Sequence, residues 1–208
     1  MSAVQDQILA RIRERGGGRV FIPKDFLDLG SRDAADQALS RLAKLGDIQR
    51  LGRGLYLYPR KPKAAVAAAP AEQDEIADAL GRQTGSQVVP SGAMAANRLG
   101  LTSQVPAAPL YLTDGRTRQV RIGSVVFQLR HAAPKDLPAA SRTSSMVFQA
   151  LRFIGKESVD ERVIAKIQKA ITSEQRAALL RDANYATDWI SAAVRQIARD
   201  EADVVLHV

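Results

Sequence analysis

Apolar positions in residues 3–58 follow first a helical and then a strand-like spacing. The stretch "AVQDQILARIRERG" places Ile8 and Ile12 on one face and predicts a helix that ends at Gly16–Gly18. A short apolar run, "RVFIP", and a brief helix, "KDFLDLG", come next. The stretch "SRDAADQALSRLAKLG" predicts a second long helix, with Ser31 as its N-cap and Gly46 after its last turn.

Residues 47–58 are typical of a β-hairpin whose turn is Gly52-Arg53-Gly54. Side chains alternate across a strand, so we expect one face of the second strand in the core and the other near the surface. The two faces carry a tyrosine pair and a leucine pair: Tyr56 with Tyr58, and Leu55 with Leu57. Helix, strand, helix, helix and hairpin is the element order of a winged helix-turn-helix, which we predict for residues 1–60.

The stretch "PRKPKAAVAAAPA" has three prolines and no polar/apolar period, and it predicts a linker over residues 61–71. Residues 72–208 are then predicted to form a mixed α/β domain, so the fold class is α+β. Small residues in "SGAMAANRLG" predict a helix, capped by Ser91, that another backbone can approach closely.

Three strand-like runs, "PLYLTDG", "RQVRIGS" and "VVFQLRH", are separated by turn residues and predict a small antiparallel sheet. The remaining pattern is helical, and Ser158 with Glu161 has the spacing of a capping box. Helices are predicted at four places: 142–155, 159–171, 174–183 and 188–200.

The distribution of charge along the chain indicates the kind of partner that the N-terminal domain binds. The chain has 208 residues, a formal charge of +8 and no cysteine, which excludes disulfides and thiolate chemistry. Residues 1–63 carry 13 basic and seven acidic side chains, so most of the excess lies there. This asymmetry favours an anionic partner for the N-terminal domain, although a merely basic surface would produce it too.

Catalytic residue types are scarce. The two histidines, His131 and His207, lie far apart, and none of the common phosphate-binding, zinc or serine-hydrolase motifs occurs. Asp114 precedes a strand in a layout faintly similar to nucleases, but Gln128 and Arg130 stand where a carboxylate and a lysine are needed. We therefore expect a protein that is not an enzyme and that uses no cofactor and no metal.

The N-terminus lacks the apolar core of a signal peptide, and no 18-residue apolar run occurs. We therefore expect a cytoplasmic protein without a membrane span.

The second long helix separates an apolar face from a polar one, as a recognition helix in the major groove requires. Candidate base-reading side chains are Arg32, Gln37 and Arg41, and candidate phosphate contacts are Ser40 and Lys44. Asp33 and Asp36 would repel phosphate, and an ordinary solvated face is the alternative. The hairpin and its exit add basic candidates: Arg50, Arg53, Arg60 and Lys61. The alternative for them is an edge hairpin protected from aggregation by charge.

The stretches "ALSRLAKLGDIQRLGRGLYLYP" and "GAMAANRLGLTSQVP" together resemble the AbiEi-type abortive-infection antitoxins of bacteria, a type IV toxin–antitoxin family. The resemblance implies a transcriptional autorepressor that binds double-stranded DNA, the repeats of its own promoter, through the winged helix. It also implies an antitoxin domain that counteracts a nucleotidyltransferase toxin in phage defence.

Within the second motif, Asn97, Thr102 and Gln104 either hold a loop or contact a partner. The alternative function is an orphan nucleic-acid-binding or protein-interaction module without a toxin partner.

Overall fold

The computed structural model describes residues 3–60, 70–137 and 140–199. In this part of the chain, eight α-helices and two small β-sheets form an α+β fold, as the sequence predicts. The chain divides into two compact units. The first comprises the described residues up to Val88 together with Gln119–Phe127, and the second comprises Val89–Arg118 and the described residues from Gln128 onward.

The first unit contains the predicted elements of residues 3–58 and, after the undescribed segment 61–69, a helix that includes the helical pattern of "EQDEIADALGRQTG". Its strands form a three-stranded antiparallel sheet of order β1-β3-β2. The elements are α1 (Ala3–Arg15), β1 (Arg19–Phe21), a 3-10 helix (Pro23–Phe26), α2 (Arg32–Leu45), β2 (Gln49–Gly52), β3 (Leu55–Tyr58) and α3 (Pro70–Thr84). Most of the predicted linker 61–71 lies outside the described residues, and the predicted domain start at residue 72 falls inside α3.

Local signals set both ends of α2. The Ser31 hydroxyl accepts a hydrogen bond from the Ala34 amide at 3.2 Å, and Gly46 takes the left-handed conformation, φ +81°, after the last turn. The apolar face of α2 packs on α1, where Leu39 and Leu42 are fully buried. Burial of one such leucine contributes about 1.5–3 kcal/mol, so the core holds α2 with its polar face outward.

Burial along β3 does not follow the predicted alternation. Leu55 and Tyr56 are both buried, whereas Leu57 and Tyr58 are both half-buried. Tyr56 belongs to the core with α1 and α2, and Tyr58 packs against that core in part, while α3 packs against the neighbouring strand β1. The predicted division into a core pair and a surface pair is therefore wrong.

The second unit is mainly helical. Its core lies among five helices, and Phe148, Leu151 and Ile190 are fully buried in it. A Cβ at Gly92 would lie 2.9 Å from the carbonyl oxygen of Gln149, so α4 and α5 approach as closely as the small residues of α4 predict. The helices are α4 (Gly92–Arg98), α5 (Arg142–Ile154), α6 (Glu161–Ala170), α7 (Ser173–Asp182) and α8 (Asp188–Ala198), with 3-10 helices at Lys156–Ser158 and Ala183–Tyr185.

The second sheet has the strand order β4-β5-β7-β6. Its strands are β4 (Val88–Pro90), β5 (Leu110–Thr113), β6 (Arg118–Ile122) and β7 (Val125–His131). β5 pairs with β7 in parallel, with Leu110 opposite Gln128. The prediction of an antiparallel sheet is therefore wrong for this pair: β7 lies between β5 and β6, so β5 and β6 are not neighbours in the sheet.

Two caps differ from the prediction. Asp160, not Ser158, caps α6, and its carboxylate accepts from the Val163 amide at 2.9 Å. Ser158 lies in the preceding 3-10 helix, so its spacing to Glu161 has no structural role as a capping box. Ser91 has the backbone conformation of an N-cap, but its side chain makes no capping hydrogen bond.

One ion pair of the first unit predicts a pH dependence of stability. Arg11 donates two hydrogen bonds of 2.7 Å to the Asp28 carboxylate, and these bonds hold the pKa of Asp28 below its ordinary value. A carboxyl with a lowered pKa in the folded state stabilises the fold above the unfolded pKa of about 4 and loses that contribution as pH falls through the folded pKa. We expect the melting temperature of Asp28→Asn to fall less than that of the wild type between about pH 5 and pH 2.

The control for this measurement is Asp6→Asn, which removes an exposed carboxylate of α1 that makes no ion pair with the described residues. Identical pH profiles for Asp28→Asn and the wild type would contradict the assignment.

Candidate nucleic-acid interface

A cleft of about 550 Å³ lies in the first unit between α2 and the β2–β3 hairpin. Residues 32, 36 and 40 are spaced by one helical turn, so one stripe of α2 forms one wall. The hairpin forms the opposite wall, and the start of the 3-10 helix and the end of α3 complete the rim. The cleft is lined by Ile22, Pro23, Lys24, Arg32, Asp36, Ser40, Arg50, Arg53, Gly54, Tyr56 and Gln83.

The basic side chains of the cleft differ in their bonding. The Arg32 Nε donates to the Asp36 carboxylate at 2.9 Å, which offsets the negative charge that Asp36 brings to the cleft. The Arg50 Nε lies 3.4 Å from the carbonyl oxygen of Gly52. Arg53 is exposed at the tip and forms no ion pair within the described part of the chain. Arg53 is therefore available to an anion without first breaking an internal ion pair.

Tyr56 is a buried residue that lines the cleft. Burial raises the pKa of Tyr56, and nearby Asp36 acts in the same direction, while Arg50 opposes the rise. The phenol therefore stays neutral at physiological pH. A neutral tyrosine hydroxyl can donate a hydrogen bond to an anionic oxygen.

The other predicted residues of α2 lie on the neighbouring stripe of the helix. Gln37, Arg41 and Lys44 are exposed and do not line the cleft. Residue 37 follows residue 36 by one position, a rotation of about 100° around the helix axis. α2 therefore presents two adjacent polar stripes, one facing the hairpin and one facing away from it.

Arg60 lies at the other end of β3 from the hairpin tip. Its Nε lies 3.4 Å from the carbonyl oxygen of Gly17, and its side chain covers Gly18, where a Cβ would come within 2.5 Å of Nε. Seven residues separate Arg60 from Arg53, which corresponds to about 20 Å along a strand. The structure therefore does not bring Arg60 to the cleft, and Lys61 lies outside the described residues.

The polar residues of the second motif hold a loop together. The Asn97 side chain donates to the carbonyl oxygens of Thr102, at 3.3 Å, and Gln104, at 3.0 Å. The Thr102 hydroxyl accepts from the Gln104 amide at 3.1 Å. These bonds favour the loop-holding interpretation of the motif.

Among the described residues, including those of the sheet β4–β7, no group of three or more histidine or acidic side chains is placed to bind a metal ion. Asp114 is exposed after β5, and Arg130 lies opposite Leu112 on β7. The His131 ring donates one hydrogen bond, from Nδ1 to the carbonyl oxygen of Gly115 at 2.9 Å. Across residues 3–60, 70–137 and 140–199, no helix is both long and apolar enough to cross a bilayer.

Sequence reasoning missed three polar side chains of the cleft: Lys24, Tyr56 and Gln83. Lys24 lies in the 3-10 helix, and a single positive charge there is a weak indication of a binding site. The alternation along β3 points to Tyr56 as a packing residue and not as part of a site. Gln83 had no signal, because its place beside the hairpin depends on tertiary packing between parts of the chain that are distant in sequence.

The fold and the cleft define a class: an α+β protein with a three-stranded sheet, a split-faced helix and a basic cleft between that helix and a hairpin. The chain belongs to the family DUF6088, a family of unknown function whose model matches residues 7–179. No curated protein matches the chain.

Proposed function

We propose that residues 1–60 form a winged helix-turn-helix that binds double-stranded DNA. The observation that carries the proposal is the cleft, where one stripe of α2 lies opposite the glycine-flanked Arg53 of the hairpin. In winged helices the second helix of the motif enters the major groove, and the hairpin, or wing, contacts the neighbouring backbone. The order β1-β3-β2 and the exposed polar face of α2 support this assignment.

Each stripe of α2 has a role in this arrangement. Arg41 and Gln37, on the outward stripe, reach base edges, and Lys44 reaches a phosphate. Arg32 and Ser40, on the stripe facing the hairpin, contact the groove edge beside Arg50 and Arg53. The arginines supply the countercharge that the phosphate backbone requires.

The test is binding of the full chain to a labelled duplex of its own upstream DNA, measured by fluorescence anisotropy over a series of salt concentrations. With three to five phosphate contacts, log K should fall against log salt with a slope of roughly −3 to −4.5. Duplex RNA of the same sequence and a scrambled DNA duplex serve as competitors. Equal affinity for RNA, or a slope near zero, would exclude DNA recognition by this surface.

The regulatory role follows from the resemblance to AbiEi-type antitoxins. We propose an autorepressor that binds repeats in its own promoter, with a second activity that counteracts a nucleotidyltransferase toxin. Co-expression with a neighbouring nucleotidyltransferase gene should restore growth, with an empty vector as control. Persistent growth arrest would remove the antitoxin role and leave the DNA-binding role standing.

A further inference from the structure

The end of α3 holds the tip of the hairpin. The Gln83 side-chain amide donates one hydrogen bond to the carbonyl oxygen of Arg53, at 3.1 Å, and one to that of Gly54, at 3.2 Å. Both carbonyls belong to the tip that presents the Arg53 guanidinium. Because these are main-chain acceptors, Gln83 fixes the backbone of the tip and leaves the arginine side chain free to bind.

The end of α3 is itself anchored to the rest of the first unit. The Lys24 ammonium donates to the Gln83 carbonyl oxygen at 2.7 Å. The Arg82 guanidinium donates to the Val20 carbonyl oxygen at 2.8 Å and to the Asp25 carboxylate at 3.1 and 3.2 Å. These bonds join α3 to β1 and to the 3-10 helix. The C-terminal end of α3, which carries Gln83, is therefore held in place beside the hairpin tip.

The hairpin tip needs such support for a physical reason. Gly52-Arg53-Gly54 places the arginine between two residues without side chains, and Gly54 has a φ of +66°. Ordering the backbone of a residue costs conformational entropy, and glycine loses the most freedom of all residues. A tip that is already ordered before binding avoids this cost at the moment the complex forms.

We propose that Gln83 is a positioning residue for Arg53, and that α3 is therefore part of the nucleic-acid-binding unit. This inference rests on the proposed function, and it adds a residue from beyond the undescribed segment 61–69 to the DNA-binding machinery. Gln83 acts through the main chain of the tip and makes no contact with the nucleic acid.

The experiment measures the affinity of full-length Gln83→Ala for the upstream duplex. We expect binding about fivefold weaker than that of the wild type, since Gln83→Ala removes both hydrogen bonds that hold the backbone of the tip. The matched control is Gln7→Ala, which removes an exposed glutamine from another helix of the same unit. Alanine is the best helix former, so neither variant weakens its helix.

A double-mutant cycle separates positioning from a general structural effect. In an Arg53→Ala background, Gln83→Ala should cause no further loss, because its effect passes through Arg53. Amide hydrogen exchange of Gly52–Leu55 in the free protein should also be faster in Gln83→Ala than in Gln7→Ala.

Each result that contradicts the proposal is distinct from failure of the proposed function. If Arg53→Ala weakens binding and Gln83→Ala binds as the wild type does, the positioning role is wrong and DNA binding stands. An equal loss from Gln83→Ala with and without Arg53 would also overturn the positioning role. If neither Arg53→Ala nor Arg41→Ala changes binding, the DNA-binding surface itself is wrong.

Discussion

The double variant Arg41→Ala, Arg53→Ala should bind the upstream duplex about 100-fold more weakly than the wild type. A base-reading arginine contributes roughly 1–3 kcal/mol, and each tenfold loss of affinity corresponds to about 1.4 kcal/mol. Arg41 lies on the outward stripe of α2 and Arg53 at the hairpin tip, so the two side chains belong to separate contacts. Their effects should therefore add.

The two single variants should change DNA binding in different ways. Arg53→Ala should weaken binding to all duplexes alike and reduce the salt slope by about one unit, as expected for a phosphate contact. Arg41→Ala should bring the specific and scrambled duplexes closer in affinity, as expected for a base contact. Anisotropy titrations with both duplexes at several salt concentrations measure these effects together.

The matched control removes two arginines from elsewhere. Arg162→Ala, Arg195→Ala changes the net charge by the same amount, and both side chains are exposed on helices of the second unit. The control variant should keep most of the wild-type affinity. An equal loss in both double variants would show that net charge alone drives binding, and unchanged binding in Arg41→Ala, Arg53→Ala would exclude the proposed surface.

Phe148→Ala should lower the free energy of unfolding of the second unit by about 3–5 kcal/mol. Phe148 is fully buried among helices α4 to α8, and α4 packs closely on the helix that carries it. The surrounding backbone cannot collapse into the space of a missing ring when two helices are already in contact, so a cavity should remain. Urea denaturation followed by circular dichroism measures the loss.

Phe153 offers a control on the same helix with the same chemistry. It is 50% exposed, whereas Phe148 is 0% exposed, so Phe153→Ala should cost about 1 kcal/mol or less. A cost for Phe148→Ala no larger than that for Phe153→Ala would contradict the packing of this core. DNA binding by Phe148→Ala, measured where the protein remains folded, should be unchanged because the cleft lies in the first unit.

Short-range patterns predicted the elements that form the cleft. The helix α2 begins and ends where Ser31 and Gly46 predict, and the hairpin turns at Gly52-Arg53-Gly54. These features depend on residues within one or two turns of each other: a capping hydroxyl, a left-handed glycine, a period of 3.6 or 2. The apolar face of α2 was predictable for the same reason.

Long-range contacts explain the errors. The parallel pairing of β5 with β7 joins residues 18 positions apart, such as Leu110 and Gln128, and no turn residue between them encodes it. The packing of α3 against β1 is likewise a long-range contact, and α3 follows a segment with no helical or strand-like period. Asp160, and not Ser158, caps α6. Both residue types can accept a hydrogen bond from a free helix amide, so the sequence pattern alone does not choose between them, and the path of the chain does.

The sequence by itself determined the α+β class, the order of elements in residues 3–58 and the basic character of α2 and the hairpin, because local periodicity and turn chemistry suffice for these. Only the tertiary structure decided that Arg32, Arg50 and Arg53 share one cleft, that Arg60 lies apart from it, and that Gln83 supports the tip. Those relations come from packing between residues distant along the chain, where the gain from burying apolar surface selects one arrangement among many that the local signals allow.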